Sequence, residues 1–255
     1  MRFEKWQALG NDYVIVTEPV TPELVRRMCD RHTGIGGDGV LVLAPADEPG
    51  FVARLRIFNP DGSEAELSGN GAREAIMYLH LRGWTDARQF SIQTIAGEIR
   101  PTILDERTCR VDMGRAALGE QATVAGFAGQ EVRIGNPQFP IRIASREELE
   151  ALDLPAVGPA IEHEPRFPGR TNVSFWTELG PDAIRARIFE RGVGETMSSG
   201  TGAIGAAVAH VLRGGESPVT VHLDGGELVV DVDEDFHVDL TGWAVPVYAG
   251  EWLAS

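Results

Sequence analysis

Residues 56–75 (RIFNPDGSEAELSGNGAREA) lie over residues 187–206 (RIFERGVGETMSSGTGAIGA) without a gap, at a constant offset of 131. Nine of the twenty pairs are identical, among them Arg56/Arg187, Ile57/Ile188, Phe58/Phe189, Glu64/Glu195, Ser68/Ser199, Gly69/Gly200 and Gly71/Gly202. Shorter echoes keep nearly the same spacing. Ala96-Gly97-Glu98-Ile99 answers Gly225-Gly226-Glu227-Leu228, and Gly10-Asn11 answers Gly135-Asn136. A period this long means two domains of one fold rather than a solenoid. A chain of 255 residues accommodates two domains of ordinary size, each with its own core.

The repeat ends on Ser68-Gly69-Asn70-Gly71-Ala72 and Ser199-Gly200-Thr201-Gly202-Ala203, each opening an apolar helix-like run. Small residues and a hydroxyl at a helix start leave backbone N–H groups free for an anion such as a carboxylate. The alternative is that the motifs only pack a buried helix closely on a strand, for which Gly and Ala suffice. The leading hydroxyl in each copy, and Asn59 or Glu190 directly after each Arg-Ile-Phe strand, favour a binding site.

Net charge is −15 and Lys5 is the only lysine. An acidic chain without basic clusters argues against nucleic acid or an anionic membrane as partner, but not against a small anion. Met1 leads straight into an amphipathic strand and no apolar run approaches membrane-spanning length, so a cytoplasmic protein is expected. Cys29 and Cys109 are then expected as buried free thiols.

In chain order, strands are expected at 3–9 and 13–17, joined at Gly10-Asn11-Asp12, then a helix capped by Thr21 and running to about Arg31. Gly34-Ile35-Gly36-Gly37-Asp38-Gly39 has no preceding strand and no Gly-Lys-Ser/Thr end, so a structural turn is preferred to a phosphate loop. Strands at 40–43 and 52–58 lead to the first motif helix, with three more strands to residue 113. A polar, Gly-rich connector is expected around 115–130. The second half repeats the plan: strands at 131–134 and 139–143, a helix from Ser145 to Leu152, and a Pro-rich stretch to Gly169. Strands at 171–177 and 184–189 lead to the second motif helix and four closing strands. That helix, Ile204–Leu212, carries almost no charge and should be buried on all sides.

Asn11, Asn59, Asn70, Asn136 and Asn172 fall at turns beside the repeated motifs, where neutral amides can read amino and carboxylate groups. Any one alone is most often an ordinary turn residue. Glu190-Arg191 adds a pair suited to an ammonium and a carboxylate, or, more blandly, a solvated pair at a strand end. The six histidines have no metal-ligand spacing, there is no CxxC and no GxSxG elbow, and a lone lysine weakens any pyridoxal phosphate reading. No metal and no cofactor are therefore expected.

Gly10-Asn11-Asp12-Tyr13-Val14, Asn59-Pro60-Asp61-Gly62-Ser63-Glu64, Gly69-Asn70-Gly71-Ala72-Arg73, Gly135-Asn136-Pro137, Arg170-Thr171-Asn172-Val173, Glu190-Arg191-Gly192-Val193-Gly194-Glu195-Thr196 and Gly200-Thr201-Gly202-Ala203 together resemble the diaminopimelate epimerase family of cofactor-independent amino-acid racemases and epimerases. The resemblance runs nearly end to end. It implies an α+β fold of two pseudo-symmetric domains, each a mixed or antiparallel barrel-like sheet wrapped around a central helix. The expected bounds are 1–116, completed by about 250–255, and 117–249. It further implies an amino-acid-like carboxylate substrate in an interdomain cleft, a role in lysine biosynthesis, and often a homodimer. Carried over position by position, the acid–base positions are Ser68 and Ser199. The substrate-binding positions are Asn11, Asn59, Gly69, Asn70, Asn136, Asn172, Glu190, Arg191, Gly200 and Thr201.

In that family each acid–base position is a cysteine, one thiolate removing the α-proton and the opposite thiol returning one. Here both are serine. Gln138 stands where the resemblance implies a histidine assisting the thiols, and Ser198 where alanine is usual. A thiol ionises near pKa 8.5 and an alcohol near that of water, about 15.7. About seven units of pKa is on the order of 10 kcal/mol at the base. Three readings follow. The chain is a relative doing different proton chemistry through Glu190 or another carboxylate, as the phenazine-biosynthesis isomerases exemplify; or an epimerase changed at both cysteines; or a non-catalytic binding protein.

Overall fold

The computed structural model describes residues 1–253. Ala254 and Ser255, the last of the stretch expected to complete the N-terminal domain, lie outside the described residues. In chain order the elements are β1 (Arg2–Ala8), β2 (Asn11–Val16), α1 (Pro22–Cys29), β3 (Gly39–Ala44), β4 (Ala53–Phe58), β5 (Glu64–Ala65), α2 (Gly69–Leu81), β6 (Ile92–Thr94), β7 (Gly97–Ile99), β8 (Pro101–Ile103) and β9 (Thr108–Arg115). Then follow β10 (Ala117–Val124), β11 (Phe127–Ile134), β12 (Asn136–Arg142), α3 (Arg146–Ala151), α4 (Leu154–Glu162), β13 (Asn172–Gly180), β14 (Ala183–Glu190), β15 (Gly194–Thr196), α5 (Gly200–Val211), β16 (Val219–Leu223), β17 (Gly226–Val232), β18 (His237–Trp243) and β19 (Val245–Glu251). The chain divides into two compact units, Met1–Asp112 with the segment from Gly242 on, and Met113–Thr241.

In the first unit the strands run in the order β19-β1-β2-β3-β4-β6-β7, with β5 paired to β4. The β2–β3 and β4–β6 pairs are parallel and the others antiparallel. Parallel neighbours need a crossover, and α1 and α2 supply them. Thr21 caps α1, its Oγ1 accepting from the Leu24 N–H at 3.2 Å. Strand β3 is buried along nearly its whole length because a helix covers each face. Val40 and Val42 join Val25, Met28 and Phe58 under α1. Leu41 lies on the other side against α2, where a Cβ added to Gly71 would stand 3.1 Å from Leu41 Cδ2.

The second unit shows the same succession of pairings. β11–β12 is antiparallel, β12–β13 parallel, β13–β14 antiparallel, β14–β16 parallel and β16–β17 antiparallel. Phe139, Ile141, Val173, Phe175 and Phe189 pack under α3 and α4 with Leu149, Leu154 and Ile161. The opposite face of these strands wraps α5, which touches β11, β12, β13, β14, β16 and β17. Every residue from Ala203 to His210 is buried, so this helix is enclosed as its lack of charge requires. The α+β architecture of two units, each with few helices and a large mixed sheet, is the one expected.

Four details differ from the sequence reading. The first turn is Leu9-Gly10, both at positive φ (54° and 82°), so Asn11 and Asp12 open β2 rather than forming the turn. A buried Leu in that conformation carries no local turn signal. The supposed connector at 115–130 is the β10–β11 hairpin, turning at Ala125-Gly126 (φ 49° and 86°). Nearly all of β10 is exposed, which erases the alternation that marks a half-buried strand. The Pro-rich stretch holds α4, where Pro155 sits in the first turn and Asp153 caps the start. Finally, β19 pairs antiparallel with β1, Arg2 opposite Glu251, so residues 242–249 lie with the first unit. A partner so distant in sequence leaves no local trace.

Among the described residues no helix is long and apolar enough to cross a membrane. Cys29 and Cys109 are free and buried. Burial pushes the Cys29 thiol up to about 11 and the Cys109 thiol up to about 12.

Candidate active site

Both motif serines are helix N-caps. Ser68 Oγ accepts from the Gly71 N–H at 3.1 Å and Ser199 Oγ from the Gly202 N–H at 3.2 Å. Both backbones are extended at the cap, as an N-cap residue requires. The hydroxyls therefore have a structural use that the sequence reading had denied to the packing alternative. The motif glycines have one too: a Cβ on Gly202 would sit 2.8 Å from Ile188 Cγ2, so the helix could not lie so close to β14. Replacing either serine by alanine is expected to cost about 0.5–2 kcal/mol by loss of the cap. Urea unfolding of Ser68→Ala and Ser199→Ala checks this.

In the first unit Arg73 and Glu74 are wholly buried. The Arg73 guanidinium donates to the Gly69 carbonyl at 3.0 Å and to Asn70 Oδ1 at 2.6 Å, bracing the start of α2. Asn70 is itself 4% exposed, so its side-chain carbonyl is committed to this brace. Glu74 accepts from the Tyr13 N–H at 3.3 Å through Oε2, while Oε1 has no partner. Burial drives its carboxyl well above the usual carboxylate range, and the Tyr13 N–H and nearby Arg73 offset this only in part. Burial also lowers Arg73, although a guanidinium stays charged in proteins.

The Asn11-Asp12-Tyr13 end of β2 sits in a charged network. Lys5, 5% exposed, pairs with Asp12 at 2.7 Å and donates to the Gly36 carbonyl. Arg31 bridges Asp12 and Asp38, and Asp38 in turn accepts from Asn11 Nδ2 at 2.7 Å. Burial pushes the Asp12 carboxyl up, but hydrogen bonds from Arg31 and Lys5 outweigh it and hold the pKa below its ordinary value. In the 34–39 loop the N–H groups of Gly34, Ile35, Gly36 and Gly37 go to carbonyls of Met28, Cys29 and Asp30, so the glycines finish α1. Asn59 closes its own turn, Nδ2 donating to Ser63 Oγ at 3.0 Å.

In the second unit the sequence-selected residues converge. Asn136 Nδ2 donates to Thr201 Oγ1 at 3.3 Å, and Asn136 Oδ1 accepts from Gln138 Nε2 at 2.6 Å. Asn172 donates to the Pro137 carbonyl at 3.0 Å and accepts from the Arg191 N–H at 2.9 Å. Glu190, half-buried, accepts from Thr196 Oγ1 at 3.3 Å. The exposed Arg191 guanidinium donates to the Gly169 carbonyl at 2.8 Å. Gly200 is the first residue of α5, so its amide and that of Thr201 precede any intrahelical acceptor. Gln138 is 1% exposed and its Oε1 has no partner.

Sequence reasoning missed Tyr13, Lys5, Asp38, Arg73 and Glu74 as parts of the first unit's motif neighbourhood. For Tyr13 the signal was present in the repeat: it follows Gly10-Asn11 as Gln138 follows Gly135-Asn136.

Two helices, each capped by a hydroxyl and each preceded by a strand that carries Arg-Ile-Phe near its end, belong to a fold shared with amino-acid racemases and phenazine-biosynthesis proteins. A Bacillus anthracis phenazine biosynthesis protein of the PhzF family superposes over 100% of this chain and 99% of its own, with TM-score 0.77 and 16% identity. A probable proline racemase from Agrobacterium radiobacter superposes over 100% of this chain and 93% of its own, with TM-score 0.76 and 16% identity. At these identities the likeness shows the fold alone.

The sequence goes further. The family model for diaminopimelate epimerase matches residues 3–119 and 131–247. The diaminopimelate epimerase of Pelotomaculum thermopropionicum is 41% identical, and that of Moorella thermoacetica 40%, each alignment covering 99% of both chains. The chain belongs to the diaminopimelate epimerase family, a family of isomerases.

Proposed function

We propose that this chain binds an amino-acid-like carboxylate at the Ser68 and Ser199 motifs, with cofactor-independent proton transfer at the α-carbon altered or impaired by the loss of the thiol pair. Helix N-terminal amides at Gly69 and Asn70 in one unit, and at Gly200 and Thr201 in the other, are each suited to a carboxylate. Asn11, Asn59, Asn136 and Asn172 contribute neutral hydrogen bonds, Glu190 receives the ammonium, and Arg191 adds a positive charge. The observation that carries this reading is the state of Ser68 and Ser199: both hydroxyls are engaged as N-caps, and among the described residues neither is hydrogen-bonded to a histidine or carboxylate that could serve as its base. This supports a binding site whose two serines do not act as an acid–base pair.

Proton chemistry other than thiol-driven epimerisation at the α-carbon then falls to Glu190, the half-buried carboxylate held by Thr196, or to another carboxylate. A diaminopimelate epimerase merely changed at two cysteines is the second reading, and a binding protein without turnover the third. Gln138 favours the first, since a change made only to disable thiols has no need to alter it. Calorimetric titration with meso-diaminopimelate tests the ligand assignment. Saturable binding that weakens at least about tenfold in Glu190→Gln is expected, the loss of a charged hydrogen bond. Absence of binding contradicts the assignment and turns attention to other amino acids.

A further inference from the structure

The two serines are not equivalent. Among the described residues Ser199 Oγ accepts one hydrogen bond, from the Gly202 N–H. Ser68 Oγ receives two, from the Gly71 N–H at 3.1 Å and from the Tyr13 hydroxyl at 3.2 Å. A serine oxygen has two acceptor positions and one proton. With both acceptor positions filled, the Ser68 proton is directed to neither partner and is left to point at a third group.

Tyr13 is held in place from three sides. Its backbone N–H is taken by Glu74 Oε2. Its ring lies against the backbone of Gly39, where an added Cβ would meet Tyr13 Cε1 at 2.5 Å and the Phe58 carbonyl at 2.3 Å. Its hydroxyl ends on Ser68. The second unit has no such device at the corresponding places. Gln138, the counterpart of Tyr13, turns its amide nitrogen to Asn136, and Gly205 stands at the counterpart of Glu74. A Cβ on Gly205 would lie 3.0 Å from Gln138 Cβ, so the room that Glu74 fills in one unit is taken by Gln138 in the other.

We infer that Tyr13 is the positioning residue of the Ser68 motif: its hydroxyl donates to Ser68 Oγ and so fixes Ser68 as a hydrogen-bond donor to an acceptor atom of the ligand, an anionic oxygen such as a carboxylate's. Ser199, lacking a second donor, stays free to accept. The role toward a ligand rests on the function proposed above; the Tyr13–Ser68 interaction does not, and it is tested without any substrate. Failure of diaminopimelate to bind therefore leaves this experiment intact.

The test uses a thiol as reporter in the full chain. In Ser68→Cys the introduced sulfur takes the place of Oγ, and a donor aimed at it favours the thiolate. Cys29 and Cys109 are buried with raised pKa values and stay silent. The pH dependence of iodoacetamide alkylation gives the pKa of the introduced thiol. Adding Tyr13→Phe, which keeps the ring in the Gly39 slot, is expected to raise that midpoint by about one pH unit, or about tenfold slower alkylation at pH 7. The same Tyr13→Phe change on Ser199→Cys, read by ultraviolet thiolate absorbance because position 199 is buried, is expected to leave its midpoint unmoved, which separates a specific donor from general loosening. A rise below about 0.3 unit at position 68, or an equal rise at both positions, overturns the inference.

Discussion

The variant carrying Ser68→Cys, Ser199→Cys and Gln138→His is expected to exchange the α-proton of meso-diaminopimelate with deuterated water at least about a thousandfold faster than the parent protein. The reasoning is chemical. At neutral pH an ordinary thiol is a few per cent thiolate, whereas an alkoxide lies about seven pKa units further away. Hydrogen bonds shift an alcohol by a small part of that gap. On the proposed reading the two serines keep the helix caps in place of an acid–base thiol pair, and introducing sulfur supplies that pair. Each exchange gives up part of a cap, so the variant should be less stable by about 0.5–2 kcal/mol per site while still folded at 25 °C. Histidine at 138 belongs in the variant because Gln138 is buried with its Oε1 unsatisfied beside Asn136, a place where an imidazole can find a partner. NMR loss of the α-proton signal reads the rate. A triple variant that binds the ligand but exchanges no faster than the parent contradicts the claim that the remaining machinery is intact.

Glu74→Gln is expected to stabilise the protein at neutral and alkaline pH and to leave it nearly unchanged in acid. Glu74 is wholly buried, receives one N–H and leaves Oε1 without a partner. Its folded-state pKa is raised by burial above the ordinary carboxylate value of the unfolded chain. Between those two values the folded state holds a proton that the unfolded state has lost. Stability therefore falls as pH rises across that interval, by about 1.4 kcal/mol per pH unit, and is fully present only below the unfolded pKa. Glutamine keeps a carbonyl for the Tyr13 N–H and cannot ionise, so the slope disappears. Urea midpoints of parent and variant measured from about pH 4 to pH 9 check this: curves that run parallel refute a raised Glu74, and a variant less stable throughout shows that the carboxyl makes a bond glutamine does not replace.

The parts of the molecule legible in the sequence are those with local periodicity or literal repetition. The Arg-Ile-Phe strands and the two motif helices follow from residues 56–75 and 187–206. What escaped was of two kinds. The β10–β11 hairpin and α4 escaped because exposure removed the alternation from one and Pro155 and Pro159 masked the other. The network around Tyr13 escaped because it joins residues far apart in sequence, Lys5 to Gly36, Tyr13 to Ser68 and Glu74, through contacts that only folding creates. The asparagines were found by their company with the motifs, yet their side chains turn out to be tied to other groups of the protein as well: Asn70 to Arg73, Asn172 to Pro137 and Arg191, Asn59 to Ser63. Pre-set amides of that kind lose less entropy on meeting a ligand. The serines carried a double meaning from the start, since the hydroxyl that suggests a site is also among the best N-caps.

The central claim is that this chain keeps the substrate cradle of its family without the thiol chemistry. The most direct measurement is proton NMR of meso-diaminopimelate incubated with the unaltered protein in deuterated buffer at neutral pH. The account predicts no loss of the α-proton signal beyond that in buffer alone; wash-out at an enzyme-like rate would contradict it.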